Sequence, residues 1–187
     1  RVEPLCEGAA IILARPSTTA RPEYATSYYD RGTSSVVYDD LEAAIADFTR
    51  AIELDPNYAL AYFNRGLSYY YREDYRQAVV DFDRAIELDP NYARAYYDRG
   101  LACHAQDNDE QAIADYTRAI ELNYDPLSWP YVARGDVYYD QGDYKEAIAD
   151  YTRAIEVDPE YADAYYRRGK AYQKQEDYRQ AIADLTR

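Results

Sequence analysis

The sequence predicts an all-α fold in which about five pairs of helices stack side by side. The first observation behind this prediction is an Arg-Gly pair that returns at intervals of 34 or 35 residues. The second is an Ala that lies twelve residues after each Gly and is followed, four residues later, by a large ring or a Leu. A constant period of this length is typical of stacked repeats that contact only their neighbours, not of one globular core. The pairs are Arg31-Gly32, Arg65-Gly66, Arg99-Gly100, Arg134-Gly135 and Arg168-Gly169.

Each repeat is predicted to form a helical hairpin, as the unit 59–92 illustrates. Its first half carries apolar residues at helical spacing, and its second half carries an i, i+3, i+4, i+7 stripe. Between them, Asp74 fits the N-cap of the second helix, with Gln77 as its capping-box partner. Pro90 ends the second helix because proline cannot continue a helix. The same capping arrangement recurs at Asp143 with Glu146 and at Asp177 with Gln180.

The spacing of these residues resembles the tetratricopeptide repeat family. In the second unit the family pattern reads Tyr62, Arg65-Gly66, Tyr69, Ala78, Phe82 and Pro90. The resemblance covers about residues 22–187 and implies a right-handed superhelical solenoid of antiparallel helix pairs, with a concave groove lined by the first helices. The predicted organisation is an N-terminal segment with a short apolar helix, 1–24, and repeats at 25–58, 59–92, 93–127, 128–161 and 162–187, the last incomplete.

The sequence departs from the family pattern at one position in every repeat, where Arg replaces the usual Leu before the Gly. Each second helix also carries an Asp, and an antiparallel hairpin would place Arg65 and Asp81 at the same height. We therefore expect an Arg–Asp ladder along the solenoid; the alternative is a local pair such as Asp81 with Arg84. The ladder would comprise Arg31 with Asp47, Arg65 with Asp81, Arg99 with Asp115, Arg134 with Asp150 and Arg168 with Asp184.

Threonines recur on the second helices at Thr49, Thr117, Thr152 and Thr186, where we expect a solvated helix face rather than sites for O-linked sugars.

The composition disfavours several classes of partner. A net charge of −14 would repel phosphate backbones and anionic membrane surfaces, so nucleic acid is not expected as a partner. No segment approaches the roughly 20 apolar residues of a membrane helix, so we expect no membrane insertion.

Cys6, Cys103 and His104 form neither a disulfide framework nor a metal-ligand pattern. We expect Cys103 to be a packed thiol and no cofactor to be bound.

The sequence does not indicate in which cellular compartment the protein works. The chain begins at Arg1 and contains no Met, so we expect either a removed leader or a piece of a longer protein. A cytoplasmic protein and an exported one are both compatible with the composition.

One extra residue interrupts the regular spacing at the junction 123–130. Pro130 is compatible with the first turn of the next helix, and the insertion should alter the angle between neighbouring units. Trp129, the only Trp of the chain, lies there. Two interpretations stay open: its ring contacts a ligand in the groove, or it fills the gap that the insertion opens.

The function predicted from the resemblance is a non-catalytic scaffold that binds a peptide or partner protein in the concave groove. The groove is expected to be rich in rings and mixed in charge, which suits a segment docked by apolar anchors. Only fragments of the family's carboxylate clamp are present, so binding of a chaperone tail is disfavoured. The predicted groove residues are Leu60, Phe63, Leu67, Tyr70, Arg94, Tyr97, Leu101, Trp129, Asp136, Tyr166 and Lys170.

The alternative function is head-to-tail self-assembly into filaments through uncapped ends of the solenoid. A uniform repeat offers complementary end surfaces, and such a contact propagates because it does not close. A fragment whose missing residues cap the array would explain the same ends. The predicted assembly residues are Leu5, Ile11, Ile12, Leu13, Ala181, Ile182 and Leu185. Catalysis is not expected, because there is no nucleophile–His–acid set and no Gly-rich phosphate loop.

Overall fold

The computed structural model describes residues 22–186, and within that range the chain forms ten helices and no strands. The all-α prediction is confirmed. The apolar segment at Leu5, Ile11, Ile12 and Leu13 lies outside the described residues. The helices are α1 (Pro22–Val37), α2 (Leu41–Leu54), α3 (Ala59–Tyr71), α4 (Tyr75–Leu88), α5 (Ala93–His104), α6 (Asp109–Glu121), α7 (Ser128–Gln141), α8 (Tyr144–Val157), α9 (Ala162–Lys174) and α10 (Tyr178–Leu185).

The helices pair and stack in chain order. Each odd-numbered helix packs on the even-numbered helix that follows it, and each even-numbered helix packs on the first helix of the next repeat. In the first four repeats, the first helices also contact one another across the repeats. Because the first helices approach each other in this way, they form the inner surface of the solenoid. We call the surface made by α1, α3, α5, α7 and α9 the inner face.

Small residues bring the two helices of each hairpin close together. An added Cβ at Gly100 would lie 2.6 Å from Cε1 of Tyr116, and the other repeats show the same close approach. Ala78 and Ala85 are fully buried on either side of Phe82 in the second repeat. The Gly and the Ala of the repeat motif therefore set the spacing of the hairpin, and the ring that follows fills its interior.

The predicted capping boxes form only in part. Asp177 accepts a hydrogen bond from the backbone N–H of Gln180, and Asp40 caps α2 in the same way. Asp74 and Asp143 occupy the N-cap positions of α4 and α8, but their side chains make no capping hydrogen bond. The capping-box prediction is wrong at these two positions. At Asp74 the carboxylate instead lies 3.4 Å from the guanidinium of Arg72, which competes for it.

The Arg–Asp ladder is present in all five repeats. In the second repeat, Nε and Nη2 of Arg65 each lie 2.7 Å from a carboxylate oxygen of Asp81, which is the bidentate geometry of strong ion pairs. The local alternative does not form, because Arg84 pairs with Glu87 at 2.8 Å.

The ladder also joins neighbouring repeats. Nη1 of Arg65 donates to Oγ1 of Thr49 in the preceding repeat at 3.0 Å, and Thr117 and Thr152 accept from the next Arg in the same way. The prediction that these threonines only face solvent is therefore wrong. In the second repeat Asp83 takes the place of the Thr and accepts from Arg99 at 2.5 Å. The four rungs from Arg65 onward therefore each connect a second helix, the first helix that follows it and the partner of that first helix.

Candidate functional site on the inner face

The inner face places most of the predicted groove residues at the surface, with one exception. Phe63 is buried, because its ring packs against Phe82 and Tyr92 with centroids 5.7 and 4.8 Å apart. The prediction that Phe63 lines a groove is therefore wrong. Leu60, Arg94, Trp129, Tyr166 and Lys170 are exposed, and Leu67, Tyr70, Tyr97, Leu101 and Asp136 are half-buried.

The fragments of the family's carboxylate clamp are used for packing within the fold. The side-chain amide of Asn64 donates to the hydroxyl of Tyr29 at 3.0 Å and to the carbonyl of Leu60 at 2.9 Å. Arg94 lies over the ring of Phe63 and 3.4 Å from the buried carboxylate of Asp98.

A pocket of about 370 Å³ opens on the inner face where α5, α7 and α9 come together. We call it the α5–α7–α9 pocket. It brings together four predicted groove residues from these helices and adds side chains that the sequence did not indicate. The predicted residues are Leu101, Asp136, Tyr166 and Lys170; the additional ones are His104, Tyr116, Ala133, Tyr139, Asp140, Tyr151, Asp163 and Arg167.

A small residue makes room for the pocket. Ala133 lies in its wall, two positions before the Gly of the fourth repeat. The other four repeats carry larger polar side chains at that position, and Ala leaves the space between neighbouring helices unfilled. This departure was visible in the sequence as a break in the periodic pattern. The larger residues are Asp30, Asn64, Asp98 and Arg167.

A hydrogen-bonded network fixes one wall of the pocket. The hydroxyl of Tyr151 donates to Oδ1 of Asp136 at 2.8 Å, and Nη1 of Arg167 donates to Oδ2 at 2.5 Å. Nε of Arg167 also donates to Asp163 at 2.6 Å. Burial raises the pKa of Asp136, and the Arg167 guanidinium and the two hydrogen bonds oppose that rise. The wall is therefore preorganised by three helices, α7, α8 and α9.

Tyr116 contributes a hydroxyl without a hydrogen-bond partner. The side chain is fully buried, it lines the pocket, and its hydroxyl makes no hydrogen bond. The equivalent hydroxyl of Tyr151 is bound by Asp136, whereas the third repeat has Leu101 at the place of that Asp. Burial strongly raises the pKa of Tyr116, so the phenol stays neutral. Buried polar groups are rarely left unpaired, which makes this hydroxyl a candidate contact for a ligand.

Two further titratable side chains lie at the pocket. His104 is bound through Nδ1 to Asp109 at 2.7 Å, and its Nε2 is 3.8 Å from Asp140. The ammonium of Lys170 lies 5.6 Å from the centroid of the Tyr166 ring. Among the residues that the structure describes, no group of three His, Cys, Asp or Glu side chains could hold a metal ion.

Cys103 lies beneath the inner face as a buried thiol, which confirms the prediction for this residue. Burial raises its pKa to about 11, so the unreactive thiol form is favoured.

The junction before α7 places Trp129 at the surface. Its side chain is 45% exposed, so the interpretation that it fills the gap opened by the insertion is wrong. Tyr124 takes that role, because it is buried and stacks on Tyr97 with centroids 4.9 Å apart. The indole lies 6.4 Å from the Tyr97 ring and extends the exposed inner face beside the pocket.

The carboxyl end of the described chain is partly apolar. Ile182 and Leu185 are exposed on α10, whereas Ala181 is buried against the first helix of the repeat, where its carbonyl lies near Gly169. Ala181 is therefore not available for contact with another molecule, contrary to its place among the predicted assembly residues. None of the described helices has the length and apolar character that crossing a membrane requires.

Comparisons with known proteins agree with this architecture. The family described as "TPR repeat" matches residues 39–71 and 135–176, and that described as "Tetratricopeptide repeat" matches 59–92 and 93–123. Among curated proteins, none matches the chain significantly.

Solved structures of similar fold cover nearly the whole chain. A crystal structure of MamA protein is 28% identical with a TM-score of 0.82, covering 89% of this chain and 90% of that one. YrrB, titled "a TPR protein with an unusual peptide-binding site", is 27% identical with a TM-score of 0.73, covering 87% and 83%. MamA from Desulfovibrio magneticus RS-1, at 19% identity and a TM-score of 0.80, covers 88% and 92% and shares the fold.

The repeat motif, the helix pairing and the family matches lead to one assignment. The fold is a right-handed superhelical solenoid of the kind that serves as a protein–protein interaction scaffold, in a family that is generally non-catalytic. The chain belongs to the tetratricopeptide repeat family.

Proposed function

We propose that the protein binds a peptide segment of a partner protein on its inner face, centred on the α5–α7–α9 pocket. The observation that carries the proposal is the pocket itself: about 370 Å³ in volume, lined by four tyrosine rings, two aliphatic side chains and six charged or titratable side chains. Ligands commonly bind in concave pockets where aromatic rings and polar groups converge. The likeness to YrrB, which is described as a TPR protein with an unusual peptide-binding site, supports the same role for this chain.

The distribution of exposed side chains favours an extended segment over a small molecule. Leu60 on α3, Arg94 on α5, Trp129 on α7 and Tyr166 on α9 are exposed on four successive first helices. A small molecule in the pocket would contact Tyr166 but not Leu60, Arg94 or Trp129. A peptide that crosses the inner face can contact all of them, with apolar anchors and polar contacts between.

The experiment is a selection of phage-displayed peptides on the full chain, followed by titration of the selected peptides. Trp129 is the only Trp, so its fluorescence reports directly on occupancy of the inner face. We expect selected peptides to change the Trp129 emission, and we expect Tyr166→Ala to weaken their binding about tenfold or more, as loss of an aromatic anchor commonly does. The matched control is Val80→Ala, which alters an exposed residue of the second helix α4. Peptides that bind equally to the Tyr166→Ala variant and leave Trp129 emission unchanged would contradict the proposal.

Self-assembly is a second candidate function, and the exposed apolar residues of α10 favour it. Leu185 borders a second pocket of about 310 Å³ that also involves Tyr165 and Glu160. Ile182 is exposed on the same helix. The proposed joint is between this end of one molecule and the front of the next. Sedimentation velocity should then show large species that disappear in Ile182→Asp and after deletion of residues 1–24. A monomer at all concentrations would contradict self-assembly and leave peptide binding unaffected.

A further inference from the structure

We propose that the α5–α7–α9 pocket accepts an arginine side chain of the bound segment. The inference rests on the proposed function, because it names the residue of the peptide that would enter this part of the inner face. It is carried by the charges of the lining side chains, by the unpartnered hydroxyl of Tyr116 and by the aromatic walls.

The charge of the pocket favours a cation. Apart from His104, its lining contains three carboxylates but two cations. Arg167 is shared between Asp136 and Asp163, so this trio still carries one negative charge. Asp140 has no Lys or Arg within ion-pair distance among residues 22–186. The chain as a whole carries −14, which attracts a basic segment from a distance.

Lys170 does not reverse this preference. Its ammonium is at the exposed rim, over the ring of Tyr166, on a flexible stem that can turn toward solvent. The carboxylate of Asp136, in contrast, is held in place by hydrogen bonds from two other helices. A cation that enters the pocket therefore meets a net negative charge that is held in place, whereas an anion meets the mobile Lys170 and an Arg167 whose charge is already shared between two carboxylates.

The arrangement of acceptors favours arginine over lysine. Tyr116 lines the pocket and has a buried, unpartnered phenol oxygen, and α7 and α9 contribute carboxylates to the same lining. A guanidinium carries five N–H donors in a planar fork and can reach several separated acceptors at once, while an ammonium acts as a point charge. Its flat faces can also stack on the rings of Tyr139 and Tyr166.

The fold already holds arginine by the same combination of groups. Arg65 lies with its guanidinium carbon 5.7 Å from the centroid of the Tyr62 ring while it binds the carboxylate of Asp81. Every rung of the ladder repeats this pairing of a tyrosine face with an aspartate. The lining of the pocket contains the same two kinds of group, tyrosine rings and aspartate carboxylates, and can present them to an arginine of the bound segment.

The test uses the ¹⁵N-labelled full chain and four amidated pentapeptides, acetyl-Gly-Ala-X-Ala-Gly-amide, with X as Arg, citrulline, Lys or Glu. Citrulline has nearly the shape of arginine without its charge. We expect the Arg peptide to shift the backbone amide signals of Leu101, Ala133 and Asp140, and we expect the citrulline peptide to bind about tenfold more weakly because charge-assisted hydrogen bonds are lost.

Two variants connect the binding to named groups. Asp140→Asn should weaken the Arg peptide several-fold, whereas Glu110→Gln, which removes the same charge from an exposed residue of α6 outside the pocket, should not. Tyr116→Phe should also weaken it. That variant should fold normally, because Phe48 and Phe82 occupy the same position in the first two repeats.

The outcomes separate this inference from the proposed function. Shifts of the same amides by the Glu peptide at lower concentration would overturn the arginine assignment and leave peptide binding on the inner face intact. Equal binding of all four peptides would also overturn it, because the pocket would then not select charge. Failure of the Arg peptide to shift inner-face amides, while phage-selected peptides still change Trp129 emission, would refute the arginine pocket alone; failure of both would refute the proposed function too.

Discussion

Removal of the arginine from one rung of the ladder should destabilise the protein far more than removal of a surface arginine. The side chains of Arg65 and Asp81 are 17% and 3% exposed, and two hydrogen bonds of 2.7 Å join them. Arg65→Leu introduces the residue that the family usually has at this position, but it leaves the Asp81 carboxylate buried without a partner. Loss of one partner of a buried ion pair costs about 3–5 kcal/mol of the free energy of unfolding.

The matched control is Arg84→Leu in the neighbouring helix α4. Arg84 pairs with Glu87 at 2.8 Å, but both side chains are well exposed. Exposed pairs of this kind contribute about 0.2–1 kcal/mol and are screened by salt. The two substitutions remove the same charge and introduce the same side chain, so the difference between them measures the effect of burial.

The assay is urea unfolding followed by far-UV circular dichroism, at about 0.1 M and about 1 M salt. We expect the double variant Arg65→Leu/Asp81→Leu to recover much of the loss, because it removes the unpaired buried charge. The loss in Arg65→Leu should change little with salt. A loss within about 1 kcal/mol of that of Arg84→Leu, or a double variant no more stable than the single one, would refute this reasoning.

Three further predictions concern the hairpin interior and the inner face. Gly100→Ala places a Cβ 2.6 Å from the ring of Tyr116, so we expect a loss of about 1–3 kcal/mol in urea unfolding, and an unchanged midpoint would contradict it. Tyr151→Phe should cost about 1–3 kcal/mol because Asp136 loses one of its two donors and keeps only Arg167, whereas Tyr116→Phe should cost nothing measurable, and equal losses would show that the hydrogen bond is unimportant. Burial raises the pKa of Asp98 to about 6, so its contribution to stability is present at pH values near 4 and is lost as pH rises through about 6. Asp98→Asn should therefore flatten the decline of the unfolding free energy over this range, and an identical pH profile in both proteins would contradict the assignment.

The repeat architecture could be predicted from the sequence because its determinants are local. A helix is recognised by the spacing of its apolar residues, and a hairpin by the turn residues between two such stripes, so periodicity alone indicates both. The Gly and Ala of each repeat also indicate close packing. Cys103 could be assigned to the interior for the same reason, since its position in the repeat is one that packs.

Choices between competing partners could not be predicted, because they depend on distances between helices. Asp81 could pair with Arg84 on its own helix or with Arg65 across the hairpin. Only the packed structure shows that it binds Arg65. Trp129 was the one candidate to fill the gap at the junction, but Tyr124 fills it by stacking on Tyr97, and the sequence did not indicate this. Phe63 has the same helical spacing as exposed groove residues, but the ring of Tyr92, at the N-cap of α5, covers it.

The sequence by itself determined the stacked helix pairs and the family, because these follow from short-range periodicity. Only the tertiary structure shows where a pocket opens on the inner face. The α5–α7–α9 pocket forms from residues of five helices and three repeats, at a place where Ala133 interrupts a row of larger side chains. The pocket is the volume that remains between neighbouring helices after they pack, so its position cannot be predicted from the sequence of a single repeat.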